Sequence, residues 1–177
     1  MRSPGPAARA AGEAARYAAE RHPFGRPIAS FGAIKHKLGE MAVRADAVDS
    51  MIFRTTGLFD AALADHDPAD AGPLRNILEE LAVECAILKV AGSEMIQYVL
   101  DENVQIHGGN GFVKDYMAER HYRVARVNLI FEVTNEINRL LVPGTFISSA
   151  LKVGLPIVPS PVQRQRAEAR PVRKFRR

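Results

Sequence analysis

Apolar residues recur along this chain at alternating steps of three and four, the spacing that lines one face of an α-helix. From Ala29 to Ala64, Phe31, Ile34, Leu38, Met41, Ala45, Val48, Ile52 and Phe59 keep that rhythm, with Thr55 filling the one gap. The run predicts one long amphipathic helix packed along its whole length. Asp65-His66-Asp67-Pro68 breaks it. A second long helix follows from Asp70 to Ile106, with Leu74, Leu78, Leu81, Cys85, Leu88, Met95 and Val99 as its seam and Gly92 where another backbone can approach. Before this pair, the Ala-rich stretch Ala7 to Arg21 has high helix propensity and ends at Pro23 and the Phe24-Gly25-Arg26-Pro27 turn. After it, a short helix is expected from Met117 to Asn128. A last one starts at Thr134, with a kink or split at Pro143-Gly144, and fades near Lys152. No segment shows the alternation of a half-buried strand.

Two long helices joined by a short turn lie antiparallel, and the first and last helices complete a bundle. The expected fold is therefore all-α: an up-down four-helix bundle over residues 5–152. From Gly154 onward, Pro156, Pro159, Pro161 and a basic run mark residues 153–177 as a disordered basic C-terminal tail.

Composition refines this picture in two places. The formal net charge is +4, yet Arg164, Arg166, Arg170, Arg173, Lys174, Arg176 and Arg177 outweigh Glu168 in the tail by enough to leave the rest of the chain net negative. A nucleic-acid-binding domain carries its positive charge on a folded face, so no specific nucleic-acid partner is expected. Cys85 is the single cysteine; it forms no internal disulfide and reads as a small buried hydrophobe in a reducing compartment. No apolar run is long enough to span a bilayer, and no signal-peptide core follows Met1-Arg2-Ser3-Pro4.

One stretch carries candidate chemistry. Glu132 stands among Leu129, Ile130, Phe131 and Val133, where little water would solvate its charge. Its pKa is expected to rise toward the range that suits a general base. The competing reading is purely structural: Thr134 caps the next helix, Glu136 sits in its first turn, and the carboxylates complement the positive helix end. The histidines His22, His36, His66, His107 and His121 show no metal-ligand spacing, and no metal is expected. Gly108-Gly109-Asn110-Gly111 follows a helix rather than a strand, so it is no Rossmann fingerprint; by itself it reads as a helix C-cap. Arg120, Arg123 and Arg126 at steps of three share one helix face.

Read together, these pieces resemble a known family. Tyr17-Ala18-Ala19-Glu20-Arg21-His22-Pro23-Phe24-Gly25-Arg26-Pro27-Ile28 is similar to the Y-x-x-x-R-x-x-F-G-x-P-I segment of the acyl-CoA dehydrogenases. Gln105-Ile106-His107-Gly108-Gly109-Asn110-Gly111-Phe112 resembles their Q-x-x-G-G-x-G-[FY] turn, and Glu119-Arg120, Tyr122-Arg123 and Arg126 their E-R-x-Y-R-x-x-R helix. Phe131-Glu132-Val133-Thr134-Asn135-Glu136-Ile137 is similar to their [FY]-E-G-T-N-E-I block, and Asn138 to Gly144 look most like the medium-to-long-chain branch.

The resemblance implies the four-helix C-terminal domain of that family and FAD-dependent α,β-dehydrogenation of acyl-CoA thioesters. It makes Glu132 the catalytic base that removes the α-proton, with FAD accepting the β-hydrogen as hydride. It implies that Arg21, Phe24, Phe31, Gln105, Gly109, Thr134 and Glu136 bind FAD, Arg21 meeting the pyrophosphate held by a neighbouring subunit. A homo-oligomer, dimer or tetramer, with shared FAD sites follows, with electron-transferring flavoprotein as electron acceptor. The location implied is the cytoplasm of a bacterium, or the mitochondrial matrix of a eukaryote. The match covers about residues 5–152, without the family's N-terminal helical and β-barrel domains. Two positions depart from the pattern: Val133 stands where the family has Gly, and Val124 where it has Asp. The expected reading is the C-terminal domain of an acyl-CoA dehydrogenase that acts on medium or long acyl chains when the missing domains are supplied. A non-catalytic remnant, or an oligomerisation module that binds no flavin, is the alternative.

Overall fold

The computed structural model describes residues 5–64, 66–67 and 71–152. Every regular element among them is helical: α1 (Gly5–Glu20), α2 (Gly32–Leu63), α3 (Ala71–Glu80), α4 (Ala82–His107), α5 (Met117–Ala125) and α6 (Asn135–Lys152), with single 3₁₀ turns at Ile28–Ser30, Gly108–Phe112 and Arg126–Leu129. The expected tail, 153–177, lies outside the described residues.

α4 is the centre. α1, α2 and α6 all pack on it, and α1 also packs on α2. Cross-contacts give the directions. Lys37 pairs with Glu102, the Arg44 guanidinium lies 4.0 Å from the Tyr98 ring centre, and Val48 Cγ1 lies 3.9 Å from where a Cβ on Gly92 would stand. Numbers rise along α2 as they fall along α4, so the two are antiparallel. Asn103 Nδ2 donates to Glu13 Oε2 at 3.4 Å, and the Tyr17 hydroxyl donates to the His107 carbonyl at 3.2 Å. α1 therefore runs the same way as α4, and antiparallel to α2. α1 approaches closely because Ala7, Ala10, Ala14 and Ala18 form its buried stripe; against it stand Met41, Val48, Met95, Ile96, Val99, Leu100 and Ile106.

The helical periodicity holds with three changes. The second helix opens after a 3₁₀ turn, because Ser30 N–H and Oγ both donate to the Pro27 carbonyl, at 2.9 and 2.7 Å, and Phe31 stays extended as N-cap. The expected Asp70–Ile106 helix is interrupted at Leu81, whose backbone sits at φ −89°, ψ 12°. Leu74 and Leu78 on its first segment are exposed and, among the described residues, only Ile77 is buried there, so little packing holds the two segments in line. α6 is not split: it continues through Pro143. Pro143 is on the exposed side, where the carbonyl one turn back that loses its N–H partner can be hydrated.

Candidate active site

The chain between α5 and α6 is governed by its backbone. Glu132 has φ +54° and Val133 φ +71°, consecutive non-glycine residues in the left-handed region, where a β-branched side chain is strained. The Phe131 N–H still donates to the Val127 carbonyl at 3.0 Å, so the reversal is confined to the residues that follow. The apolar residues around it are only partly covered. Ile130 is 55% and Val133 52% exposed, and Glu132 itself is exposed. The apolar enclosure expected around Glu132 is incomplete: Ile130 and Val133 are exposed with it, while Leu129 and Phe131 are half-buried. The carboxylate lines the mouth of a cavity of about 260 Å³ whose floor includes Val48, Cys85, Leu88 and Ile96. Cys85 is half-buried rather than buried, and burial, then the charge of Glu84, pushes its thiol pKa up.

Beyond the turn, α6 is fastened to α4 by a polar network. Asn135 is 3% exposed. Its Oδ1 accepts from Lys89 Nζ at 2.7 Å, and its Nδ2 donates to Ser93 Oγ at 2.9 Å and reaches Glu94 Oε1 at 3.4 Å. Arg139 Nη2 pairs with Glu94 at 2.8 Å. Thr134 and Glu136 line a different depression, of about 480 Å³, together with Glu94, Asp101 and Arg126. Glu136 accepts from its own backbone N–H and from the Thr134 hydroxyl; these bonds, with smaller help from Arg139 and Arg126, hold its pKa below the usual carboxylate value. The stability it contributes is then fully present above about pH 4.3, the unfolded glutamate value, and disappears as pH falls through its lower folded value. Denaturant unfolding of native and Glu136→Gln chains should show a difference at neutral pH that vanishes at the acid end; a difference independent of pH would contradict this.

The other end of α4 carries a second group. Gly108 caps α4 at φ +59°, donating its N–H to the Gln105 carbonyl, and Gly108–Phe112 form a 3₁₀ turn. Arg21, Pro23, Ile28, Gly108, Gly109 and Asn110 line a depression of about 340 Å³ there. Tyr17 stacks on His107 at 4.1 Å, Asn110 Nδ2 donates to the hydroxyls of Tyr17 at 2.9 Å and Tyr116 at 3.2 Å, and His107 Nδ1 donates to the Asn103 carbonyl at 2.8 Å. This ring cluster supports the glycine turn from beneath. No Cβ on Gly108 or Gly109 would meet a neighbour within 4 Å, so the backbone there is open to approach. Phe24 and Phe31 form an edge-to-face pair at 5.8 Å, with Arg26 4.2 Å over the Phe31 ring. Gln105 is exposed on the last turn of α4.

The residues singled out by sequence thus fall into separate places: Arg21 and Gly109 share one depression, Thr134 and Glu136 another, and Glu132 a third. Asn135 and Asn138, which tie the Glu132 loop down, were not singled out. Two amides three residues apart on the inner face of a helix start were the available signal. No cluster of metal-ligating side chains exists among the described residues.

Comparison with known proteins decides the family. Residues 1–143 match the family described as acyl-CoA dehydrogenase, C-terminal domain. The chain belongs to the acyl-CoA dehydrogenase family. It is 47% identical over 146 residues to a probable acyl-CoA dehydrogenase of Bacillus subtilis, covering 81% of this chain and 25% of that protein. It is 31% identical over 135 residues to the caffeyl-CoA reductase-Etf complex subunit CarC of Acetobacterium woodii, covering 76% of this chain and 31% of that one. The structure superposes on the acyl-CoA dehydrogenase complexed with FAD from Bacillus anthracis with a TM-score of 0.82 and 46% identity, over 86% of this chain and 27% of that chain. This acyl-CoA dehydrogenase-family chain thus spans about a quarter to a third of the length of these relatives.

Proposed function

We propose that this chain is the C-terminal helical part of an FAD-dependent dehydrogenase acting on acyl-CoA thioesters, active when the rest of the family's architecture is supplied beside it. The observation that carries the reading is the glycine turn with Arg21: an open backbone, a guanidinium that shares its cavity, and a firm aromatic base suit a phosphate-bearing cofactor. Arg21 and Gly109 would hold the pyrophosphate, with Phe24, Phe31 and Gln105 flanking it, and Thr134 and Glu136 would meet another part of an FAD. Bound FAD would supply the two-electron oxidising capacity that the side chains lack. Glu132 Oε takes the α-proton of the thioester. Its exposure leaves it reachable, and desolvation of the carboxylate would come from whatever covers the loop.

The separation of the Arg21 and Thr134 groups supports an FAD site shared between subunits, hence a homo-oligomer. The exposed apolar residues Ile137, Leu140, Phe146 and Leu151 of α6 provide surface for assembly. Electron-transferring flavoprotein is the proposed electron acceptor, and the cytoplasm of a bacterium the proposed location. No helix among the described residues is long and apolar enough to cross a membrane. Val133 favours a second reading, a helical assembly module without flavin, because a branched side chain now stands where the thioester would pass.

The test is complementation. The chain is mixed with the portion of the Bacillus subtilis relative that precedes its match, and flavin absorbance near about 450 nm is followed during anaerobic addition of acyl-CoA. A yellow complex that bleaches, and whose bleaching is lost in Glu132→Gln, is the expected result. A colourless complex establishes the second reading, and bleaching untouched by Glu132→Gln removes the carboxylate from the reaction.

A further inference from the structure

The Glu132-Val133 turn needs something to hold it, because an unrestrained valine returns to negative φ. What meets it is Asn138, 8% exposed on the first turn of α6. Its Nδ2 donates to the Val133 carbonyl at 2.9 Å and to the Thr134 carbonyl at 3.1 Å, while its backbone N–H donates to the same Thr134 carbonyl at 3.0 Å. Through that amide the helix reaches back across its own start and fixes the peptide that follows Val133. α6 cannot swing with the loop, since Asn135 anchors it to Lys89 and Ser93 of α4. The loop is thus clamped at a carbonyl next to the strained residue, against a helix end that is itself fixed.

We propose that Asn138 is a positioning residue for Glu132: by chelating the Val133 and Thr134 carbonyls it holds the left-handed turn and so sets the direction in which the Glu132 carboxylate projects. That direction matters for proton abstraction, which rests on the function proposed above; the clamp itself does not. A carboxylate one residue upstream of a φ that relaxes by more than a right angle would point elsewhere, and misplacement by even an ångström is costly for proton transfer. With Val at 133 the clamp works against strain at two residues; with Gly at 133 only the milder strain at Glu132 is left to restrain.

A double-mutant cycle on the full chain separates this role from simple packing. Native, Val133→Gly, Asn138→Ala and Val133→Gly/Asn138→Ala chains are compared by amide hydrogen exchange. Asn138→Ala should speed exchange of the residue 138 amide, whose N–H donates to the Thr134 carbonyl, by about tenfold in the native background and by only about twofold beside Val133→Gly, with α1 unchanged. Equal acceleration in both backgrounds, or a uniform increase over the whole chain, overturns the proposal. Should Asn138→Ala not fold, Asn138→Ser takes its place, since a hydroxyl can serve at most one of the two carbonyls, and the same coupling is required. Exchange reads the clamp and flavin bleaching reads the reaction, so either can fail without the other.

Discussion

Gly111→Ala is expected to destabilise the chain by about 3 kcal/mol, the upper part of the range for forcing atoms into a packed interior. A Cβ at Gly111 would stand 2.4 Å from the Val104 carbonyl oxygen and 3.0 Å from both Val104 Cα and His107 Cβ. These belong to the last turns of α4, so no flexible side chain can yield; either the 3₁₀ turn lifts off the helix or the helix end frays. Both moves disturb His107, whose ring is stacked under Tyr17 and held by the Asn103 carbonyl. The neighbouring glycines give the internal scale. Gly108→Ala costs about 2 kcal/mol, because its backbone at φ +59°, ψ −135° lies in a region essentially reserved for glycine, while its surroundings are open. Gly109→Ala stays within about 0.5 kcal/mol, having neither crowding nor positive φ. Denaturant unfolding of the three variants should return that order. A Gly111→Ala chain as stable as Gly109→Ala would mean that the turn does not rest on α4 as described.

The same glycine run shows what was legible in the sequence. It was identified as a stop signal for the long helix, and Gly108 does cap α4. The need for Gly111 arises from a contact with Val104 that only the fold creates. The helical seams were read from their period, and Met41, Val48, Leu88, Met95 and Val99 are buried as expected. Leu74 and Leu78 satisfy the same period and are exposed, because periodicity marks an apolar face without saying whether another element meets it. The dry setting expected of Glu132 is missing for a related reason: apolar neighbours in sequence imply a desolvated carboxylate only if the backbone gathers them around it, and here Ile130 and Val133 are exposed while Leu129 and Phe131 are only half-buried. Arg21 and Gly109 are far apart in sequence and were linked by family resemblance alone; the shared depression comes from α1 running parallel to α4. Asn135 and Asn138 do not stand out in the sequence, because asparagine beside a helix start is ordinarily a cap, whereas here both residues are buried.

Asn135→Ala should cost about 2 to 3 kcal/mol and release the first turns of α6. The lost hydrogen bonds are part of this. The larger part is what remains behind: Lys89, half-buried, loses the Oδ1 that its ammonium meets at 2.7 Å, and a stranded charge costs more than a pair of neutral groups parted together. Ser93 loses less, since its hydroxyl still donates to the Val90 carbonyl at 3.0 Å. Lys89 is therefore the diagnostic partner. In a Lys89→Met background no ammonium is left to strand, and Asn135→Ala should cost about 1 kcal/mol less there than in the native chain. Asn135→Asp sharpens the point from the other side: it keeps an acceptor for Lys89 but places a carboxylate where Nδ2 lay 3.4 Å from Glu94, so like charges face each other. Its cost should fall when Glu94→Gln is added. Chemical denaturation measures the energies, and amide exchange along α6 shows whether the helix end has come free of α4. Strictly additive costs in both pairs would mean that packing alone, rather than this polar network, holds α6 and the Glu132 loop in place.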